Sequence, residues 1–289
     1  MNVNMQLSTF QLELIDDLLC LALKEDVNEG DHTSLACIPP EIIQKAKLLV
    51  KGEGIISGIE IAKLVIQKVD SSLKMEQIMH DGETIKFGDI AFYIIGNPIS
   101  ILTSERLLLN IMQRMSGIAT FTNSLVKKIS HTNTKILDTR KTGPGMRVLE
   151  KMAVLHGGAI NHRMGLYDMI MIKDNHIDFA GGIEKAIDKI HTYLFDKQLN
   201  LKIEIEARNL VDVKRIINKG GVDRIMLDNF TPQLIKEALQ IINNKYETEA
   251  SGGINELNLV EYAETGVDFI SIGAITHQVK SLDLSLKAC

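Results

Sequence analysis

The stretch DTRKTGPGMRVLEKMAVLHGGAINHRMGLYDMIMIKDNH, residues 138–176, joins two short apolar runs to a local excess of positive charge. Ile136-Leu137 lead directly into the charged residues 138–141, and residues 169–172 lead into 173–176 in the same way. Because the whole chain carries a formal net charge of −5, this concentration of basic side chains indicates an anionic ligand. A solvated helix face is the alternative, but it does not explain why the charges follow apolar runs. The pattern predicts two buried strands that end at a site.

Downstream of Ser130, apolar runs alternate with helical patterns. The predicted strands are residues 135–137, 169–172, 203–205, 225–227, 248–250 and 269–272. The last three strand-to-strand steps are about 21 to 23 residues, the length of a minimal βα unit. Repeated βα units form a parallel sheet with right-handed crossovers. With a further candidate strand at 159–162, we expect six or seven strands in an incomplete TIM-like α/β barrel.

The first part of the chain has a different pattern, which predicts a small α+β sandwich domain. Helical spacing covers residues 9–25 and 59–69, a polar loop is expected near 25–34, and short strands are expected at 48–50, 90–95 and 99–102. A long helix is predicted from about 105 to 128, capped by Thr103-Ser104. Arg106 then falls in a first turn, where the helix dipole disfavours a cation, so Arg106 is a candidate site residue, and a solvent-exposed side chain is the alternative.

We therefore expect an N-terminal domain over residues 1–115 and a catalytic barrel over 116–275, with a C-terminal segment of about 276–289 that packs back on the first domain. Asn209, Thr231-Pro232 and Asn255 are each expected to open a helix of the barrel.

Composition narrows the class of protein. The hydrophobic content of 45% suits a globular core, and no apolar run approaches the 18 residues of a membrane helix. Residues 1–16 lack the pattern of a signal peptide. Three widely spaced cysteines form neither a disulfide framework nor a metal pair, so we expect a reduced, cytoplasmic protein. An acidic chain with 4% aromatic residues argues against nucleic-acid binding.

Each predicted barrel strand is followed by a polar residue or a glycine turn, which is the position of functional groups in βα barrels. These residues are Arg140, Lys141, Lys173, Asn175, Glu206, Asp228, Asn229, Ser251, Gly252, Gly253 and Gly273. The chain has no GxSxG elbow, Walker loop or GxGxxG fingerprint. Hydrolase, P-loop and Rossmann interpretations therefore lack support.

The strand-end residues divide by chemistry. Ser251-Gly252-Gly253 before an Asn255-capped helix, together with Gly273-Ala274 one strand later, predicts a phosphate site, and a pair of tight turns is the alternative. Glu206 and Asp228 can bind Mg²⁺, accept hydrogen bonds from sugar hydroxyls, act as a general acid/base pair, or form structural salt bridges.

Glu204 alternates in phase with Glu206 on the same strand, so we expect both to face the barrel interior, and Glu204 is a candidate for supporting Glu206. Arg140, Lys141, Arg163 and Lys173 supply positive charge, while His162 and His176 can titrate or donate hydrogen bonds. The residues alone thus predict a barrel that binds a phosphorylated sugar beside a second polyanionic molecule.

Several motifs resemble those of the quinolinate phosphoribosyltransferase family. They are EDVNEGDHTS, SERLLLNIMQRMSGIAT, DTRKTGPGMRVLEKMAVLHGG, NHRMGLYDMIMIKDNHI, IEIEARNL, IMLDNF, ASGGI and GVDFISIGAITH. The resemblance spans almost the whole chain. It implies a Mg²⁺-dependent transfer of phosphoribosyl from phosphoribosyl pyrophosphate to quinolinate, giving nicotinate mononucleotide, pyrophosphate and CO₂ in de novo NAD biosynthesis. It also implies a homodimer with active sites at the subunit interface.

The resemblance further assigns residue roles. Quinolinate would contact Arg140, Lys141, His162, Arg163, Lys173 and, from the neighbouring subunit, Arg106. Glu206 and Asp228 would lie at the ribose and metal, with Lys141 joining them as a catalytic residue. Ser251, Gly252, Gly253, Gly273 and His277 would bind the 5′-phosphate region.

Three positions depart from the family pattern. Gly143 stands where threonine is usual, Asn28 where glycine is common, and Arg208 where many members carry an acid. Rival hypotheses are a sibling phosphoribosyltransferase, a phosphate-binding barrel lyase or isomerase, and a non-catalytic metabolite-binding protein.

Overall fold

The computed structural model describes residues 7–289, which form two compact units. One unit contains the residues up to 124 together with 142–159 and 275–289, and the other contains 125–141 and 160–274. Residues 1–6 lie outside the described part of the chain. They belong to the segment 1–16, in which no signal peptide is expected. Between residues 7 and 289, no helix is both long and apolar enough to cross a membrane.

The helices are α1 (Thr9–Asp26), α2 (His32–Cys37), α3 (Ile59–Val69), α4 (Pro98–Lys128), α5 (Arg147–His156), α6 (Asp174–Ala180), α7 (Ile183–Lys197), α8 (Leu210–Lys219), α9 (Pro232–Ile242), α10 (Leu259–Ala263) and α11 (Ala274–His277). The strands are β1 (Gln44–Val50), β2 (Gly54–Ile55), β3 (Lys74–Gln77), β4 (Thr84–Ile85), β5 (Ile90–Gly96), β6 (Lys135–Leu137), β7 (Ile170–Ile172), β8 (Ile203–Ala207), β9 (Arg224–Asp228), β10 (Glu247–Ser251), β11 (Phe269–Ser271) and β12 (Leu284–Ala288).

The first unit is built on an antiparallel sheet of order β12-β1-β5-β3. Helix α1 begins where Ser8 and Gln11 exchange backbone and side-chain hydrogen bonds of 3.2 and 2.9 Å, a capping box. The predictions of α1 and α3 are confirmed. The prediction of a polar loop up to residue 34 is wrong at its end, because α2 already begins at His32. The Asp31 carboxylate accepts the Ser34 N–H at 3.1 Å and caps this helix.

Helix α4 begins earlier than predicted. It starts at Pro98, and the Asn97 side chain accepts the Ile99 N–H at 2.8 Å, so the predicted strand at 99–102 is wrong. Thr103 and Ser104 do not cap a helix, since their hydroxyls each donate at 2.8 Å to backbone carbonyls of the preceding turn. Arg106 therefore lies well inside the helix, beyond the first turn in which the helix dipole disfavours a cation.

The second unit contains a six-stranded parallel sheet of order β6-β11-β10-β9-β8-β7. All six predicted barrel strands are present, and the candidate strand near 159–162 is an isolated bridge between Ile160 and Leu137. The predicted fold class, an incomplete α/β barrel with a smaller α+β unit, is confirmed. The register pairs Ile172 with Ile205 and Ser251 with Asp228, so the carboxyl ends of neighbouring strands lie side by side.

Candidate active site

An ion pair joins two of the predicted strand-end residues. Lys173 follows β7 in extended conformation at the start of α6, and its Nζ contacts Oε1 of Glu206 at the end of β8. The backbone N–H of Asp174 donates to the other Glu206 oxygen at 3.2 Å. His176 is exposed, and its Nδ1 accepts the Lys173 N–H at 2.9 Å, so this ring orients the start of α6. Lys173 and Glu206 thus share one polar site.

Asp228 ends the next strand and carries a perturbed carboxyl group. Burial and the negative charge of Glu206 raise the pKa of Asp228, and Lys173 opposes this effect. The Asn229 amide donates to Asp228 at 2.7 Å. A cation relieves the repulsion between two carboxylates at one edge of a sheet, and Lys173 supplies such a charge to Asp228 and Glu206.

The guanidinium of Arg163 interacts electrostatically with Glu206 and with a second guanidinium, that of Arg140. Burial and the charge of Arg140 lower the pKa of Arg163, while the charges of Asp168, Glu204 and Glu206 raise it. The Arg163 guanidinium donates to the Met169 carbonyl at 3.3 Å. Because an arginine stays charged in proteins, the repulsion between Arg140 and Arg163 favours an anion between them. Lys141 is exposed next to Arg140.

His162 is buried inside the second unit, which also contains Arg140 and Arg163. Its backbone N–H donates to the buried Asp138 carboxylate at 2.7 Å, and its Nε2 lies 3.0 Å from Glu204 and 3.2 Å from Glu249. Burial lowers the pKa of His162, but hydrogen bonds and charges from both carboxylates outweigh burial and raise this pKa to about 9. A protonated ring loses the hydrogen bond that Nδ1 accepts from the Arg163 N–H at 2.6 Å. Burial and the charge of Glu249 raise the pKa of Glu204 to about 7. Above that pH two buried anions face the ring and outweigh one neutral hydrogen bond, so we assign a cationic ring.

Sequence reasoning missed two members of this buried cluster, Glu249 and Arg224. The Arg224 guanidinium donates to Glu249 at 3.2 Å and lies 4.1 Å from the centre of the Phe269 ring. Two carboxylates thus face an imidazolium and a guanidinium, so the cluster balances its own charge. The sequence did contain a signal for this cluster, because Glu249 lies in the middle of the predicted buried strand 248–250. A buried charge there requires a partner of opposite charge.

The glycine turn after β10 differs from the prediction. Gly252 and Gly253 have φ values of +93° and +65°, and a Cβ on Gly252 would lie 2.7 Å from Cγ of Asn229, so this turn needs glycine. No helix opens at Asn255, because α10 starts at Leu259. The Asn255 and Asn258 amides instead donate to the Gly253 carbonyl at 3.3 and 3.2 Å and fold the turn.

The remaining predicted site residues are distributed between the two units. Ser251 ends β10 and Gly273 precedes α11, and both belong to the unit that holds Lys173 and Glu206. Arg106 and His277 are exposed residues of the other unit.

Two of the departures have local explanations. Arg208 donates to Asp212 and Asp178 at 3.1 Å each, so neighbouring carboxylates balance its charge. Asn28 has a φ of +44°, a left-handed conformation that asparagine tolerates better than most residues.

Comparison with known proteins gives matches along most of the chain. The family description "Quinolinate phosphoribosyl transferase, C-terminal domain" matches residues 118–287, and the N-terminal domain of the same family matches 31–116.

A tobacco (Nicotiana tabacum) protein named quinolinate phosphoribosyltransferase [decarboxylating] 1b is 44% identical over 92% of this chain and 80% of its own length. A Bacillus subtilis protein named probable nicotinate-nucleotide pyrophosphorylase [carboxylating] is 40% identical over 91% of this chain and 89% of its own length. The solved structure of the nicotinate-nucleotide pyrophosphorylase from Francisella tularensis superposes with a TM-score of 0.89 at 41% identity, over 96% of each chain. The chain therefore belongs to the quinolinate phosphoribosyl transferase family.

Proposed function

We propose that this protein transfers phosphoribosyl from phosphoribosyl pyrophosphate to quinolinate with loss of CO₂, the nicotinate-mononucleotide-forming step of NAD biosynthesis. The observation that carries the proposal is the edge at which Arg163, close to Arg140, and Lys173 meet the carboxylates of Glu206 and Asp228. Both reactants are multiply anionic, so they repel each other unless cations lie between them. Family membership adds the identity of the two substrates.

Quinolinate binding is assigned to the cationic residues. Arg140 and Arg163 suit bidentate contact with the two ring carboxylates, and Lys141 and Lys173 add point charges. His162, held by Glu204 and Glu249, adds a cation that cannot leave its place. Arg106 is assigned to the quinolinate of the neighbouring subunit in a homodimer.

Phosphoribosyl pyrophosphate binding is assigned to Glu206 and Asp228 at the ribose, and to Ser251, Gly252, Gly253, Gly273 and His277 at the 5′-phosphate. Mg²⁺ fits Glu206 and Asp228, because these are hard oxygen donors and the charge of Glu206 already raises the pKa of Asp228. When bound, Mg²⁺ would neutralise charge on the pyrophosphate oxygens.

The residue types suit the chemistry. The pyridine nitrogen attacks C1′ of the ribose as the C1′–O bond to pyrophosphate breaks, and pyrophosphate leaves with the electron pair. The carboxylates of Glu206 and Asp228 stabilise the developing oxocarbenium charge, whereas the catalytic cation Lys141 offsets negative charge on the reactants. N-ribosylation makes the ring cationic, so it accepts the electron pair when the adjacent C–CO₂⁻ bond breaks. A proton then replaces CO₂ on the ring carbon, and no general base is required.

The same proposal includes the domain bounds, the oligomeric state and the location of the protein. We propose a sandwich domain over residues 1–115 and a barrel over 116–275. A C-terminal segment of about 276–289 packs on the sandwich domain. We also retain a homodimer and a cytoplasmic location, the latter supported by three exposed cysteines that are free thiols, as in a reducing compartment.

The test is an assay with purified protein, quinolinate, phosphoribosyl pyrophosphate and Mg²⁺. We expect release of CO₂ and formation of nicotinate mononucleotide in equal amounts. A parallel reaction replaces quinolinate with nicotinate, which has no second carboxylate to lose. Product from nicotinate alone would identify a sibling phosphoribosyltransferase and overturn the proposal.

A further inference from the structure

A buried carboxylate outside the predicted site joins three separate segments of the first unit. Glu150, in the first turn of α5, is fully buried, and its Oε1 accepts hydrogen bonds from Nε and Nη2 of Arg114 on α4 at 2.8 and 2.6 Å. The Gly143 N–H donates to both Glu150 oxygens at 3.3 Å. Arg114 Nη2 also donates to the Thr276 carbonyl at 3.0 Å. We call Arg114 and Glu150 the clamp.

The clamp holds backbone next to residues assigned to two different substrates. Gly143 stands two positions after Lys141, which is assigned to quinolinate, and Thr276 directly precedes His277, which is assigned to the 5′-phosphate. The loop at Gly143 is further tied to α5, because Arg147 donates to the Thr142 hydroxyl at 3.1 Å and the Met146 N–H donates to the Gly143 carbonyl at 3.0 Å. One side-chain pair thus fixes both pieces of backbone.

The Glu150 side chain is fully buried while that of Arg114 is 33% exposed, and stability alone does not readily explain why Glu150 is buried. An ion pair taken out of water loses much of its attraction to desolvation, and apolar side chains of similar volume often fill such a place equally well. Burial raises the pKa of Glu150, and Arg114 and the Gly143 N–H oppose that effect. What apolar side chains cannot do is bind a backbone N–H and a backbone carbonyl in defined directions.

We propose that Arg114 and Glu150 are positioning residues that set the backbone beside Lys141 and His277, and so tune binding of both substrates. The inference rests on the proposed function. It assigns roles to two residues that contact neither reacting molecule.

The main test is Arg114→Lys. Lysine keeps the positive charge but has no planar fork, so it cannot hold Glu150 and the Thr276 carbonyl in the same geometry. We expect the KM values for quinolinate and for phosphoribosyl pyrophosphate each to rise by about tenfold with a smaller change in kcat, as when uniform binding is lost. Assays run well below the unfolding temperature of each variant. A purely structural role would lower the unfolding temperature and leave both KM values unchanged, which would overturn the proposal.

A second variant separates the two branches of the clamp. In Gly143→Ala the new Cβ would lie 3.1 Å from Glu150 Oε1, so the loop at Gly143 has to shift by a few tenths of an ångström, and the three atoms nearest to this Cβ belong to Glu150 and Met146, not to Arg114 or Thr276. We expect only the KM for quinolinate to rise. Equal changes in both KM values would contradict the two-branch assignment. This variant also decides the matter if Arg114→Lys fails to fold.

The matched control is Arg215→Lys. Arg215 on α8 forms a forked contact with the two oxygens of Glu184 on α7, at 3.0 and 2.6 Å, and neither residue is assigned to a substrate. We expect unchanged KM values there. An inactive wild-type protein would refute the proposed function and this inference with it, whereas an active wild type with unchanged KM values in Arg114→Lys and Gly143→Ala would refute the inference alone.

Discussion

Replacement of Lys173 should reduce quinolinate binding at the site. Its partner Glu206 has a side chain that is only 7% exposed, so Lys173→Met leaves a nearly buried carboxylate without its cation. Truncation of one partner of such a pair typically costs about 2–5 kcal/mol in binding, so kcat/KM for quinolinate should fall by roughly 30-fold or more. The lysine is half-exposed, so we expect a smaller loss of folding stability, about 1 kcal/mol.

A second lysine near the same strand provides the control for that prediction. Lys202 precedes β8 at its amino end and its side chain is 67% exposed, so Lys202→Met removes the same charge away from Glu206. Steady-state assays of both variants should show a loss in Lys173→Met alone. Equal losses would mean that the overall charge of the protein, and not the ion pair, governs quinolinate binding.

His162 gives the folded protein a distinctive pH dependence. Its pKa rises from 6.5 to about 9 on folding, so between these values the folded protein binds more protons than the unfolded chain. The stabilisation is fully present below pH 6.5 and is lost as the pH rises through 9, a difference of up to roughly 3 kcal/mol. The groups that face the ring are Glu204, Glu249 and, through Glu249, Arg224.

Urea unfolding of the wild type and of His162→Gln between pH 6 and 9.5 measures this effect. The free energy of unfolding of the wild type should fall across the window more steeply than that of the variant. Parallel curves would show that the ring is neutral and that its Nδ1 keeps the hydrogen bond from the Arg163 N–H.

At the residue scale, the sequence predicted charged groups best where they end a strand. Lys173, Glu206 and Asp228 each follow an apolar run, and the chain direction alone brings them to one edge of a parallel sheet. Glu249 and Arg224 were missed because they are paired across strands, and partners that are distant in sequence are not visible in a local pattern. Arg114 and Glu150 were missed for the same reason.

At the scale of elements, the errors came from short segments. Residues 99–102 are Ile-Ser-Ile-Leu, and three apolar side chains in such a short segment suit a strand as well as a helix. Pro98 at the first helical position was the overlooked start signal. The loop after Gly253 shows the opposite error, because Asn255 has the chemistry of a helix cap but is used in a turn.

Gly117 in helix α4 sets helix propensity against packing. Alanine is favoured over glycine by about 1 kcal/mol inside a helix, which predicts that Gly117→Ala is stabilising. However, a Cβ at position 117 would collide with the Lys280 carbonyl and lie 3.1 Å from Cα of Ser281, where the chain crosses the helix before β12. Overpacking typically costs about 1–3 kcal/mol, so we expect net destabilisation in chemical unfolding.

The exposed position Asn110 in the same helix supplies the comparison. Asn110→Ala should stabilise the protein by a few tenths of a kcal/mol, because only propensity changes there. If Gly117→Ala also stabilises the protein, the crossing segment can move away and the close approach to α4 is not required.

On the scale of the whole molecule, the distribution of charge matters more than its sum. The net charge of −5 would repel both anionic substrates, yet Arg140, Arg163 and Lys173 are concentrated within one unit beside Glu206. Electrostatic attraction of this local kind falls with added salt. The cationic edge therefore explains how an acidic protein can bind two polyanions.

If the protein is a homodimer with shared active sites, two inactive variants should regain activity when they are mixed. If Arg106 serves the neighbouring subunit, Arg106→Ala and Lys173→Ala are each inactive alone, but a mixed dimer contains one site with both residues intact. Random reassociation makes half of the dimers mixed, so about a quarter of wild-type activity should return when equal amounts are mixed. The measurement is CO₂ release after mild dissociation and reassociation, with differently tagged chains to count heterodimers. Heterodimers without recovered activity would place Arg106 and Lys173 in the same chain's site or remove Arg106 from it.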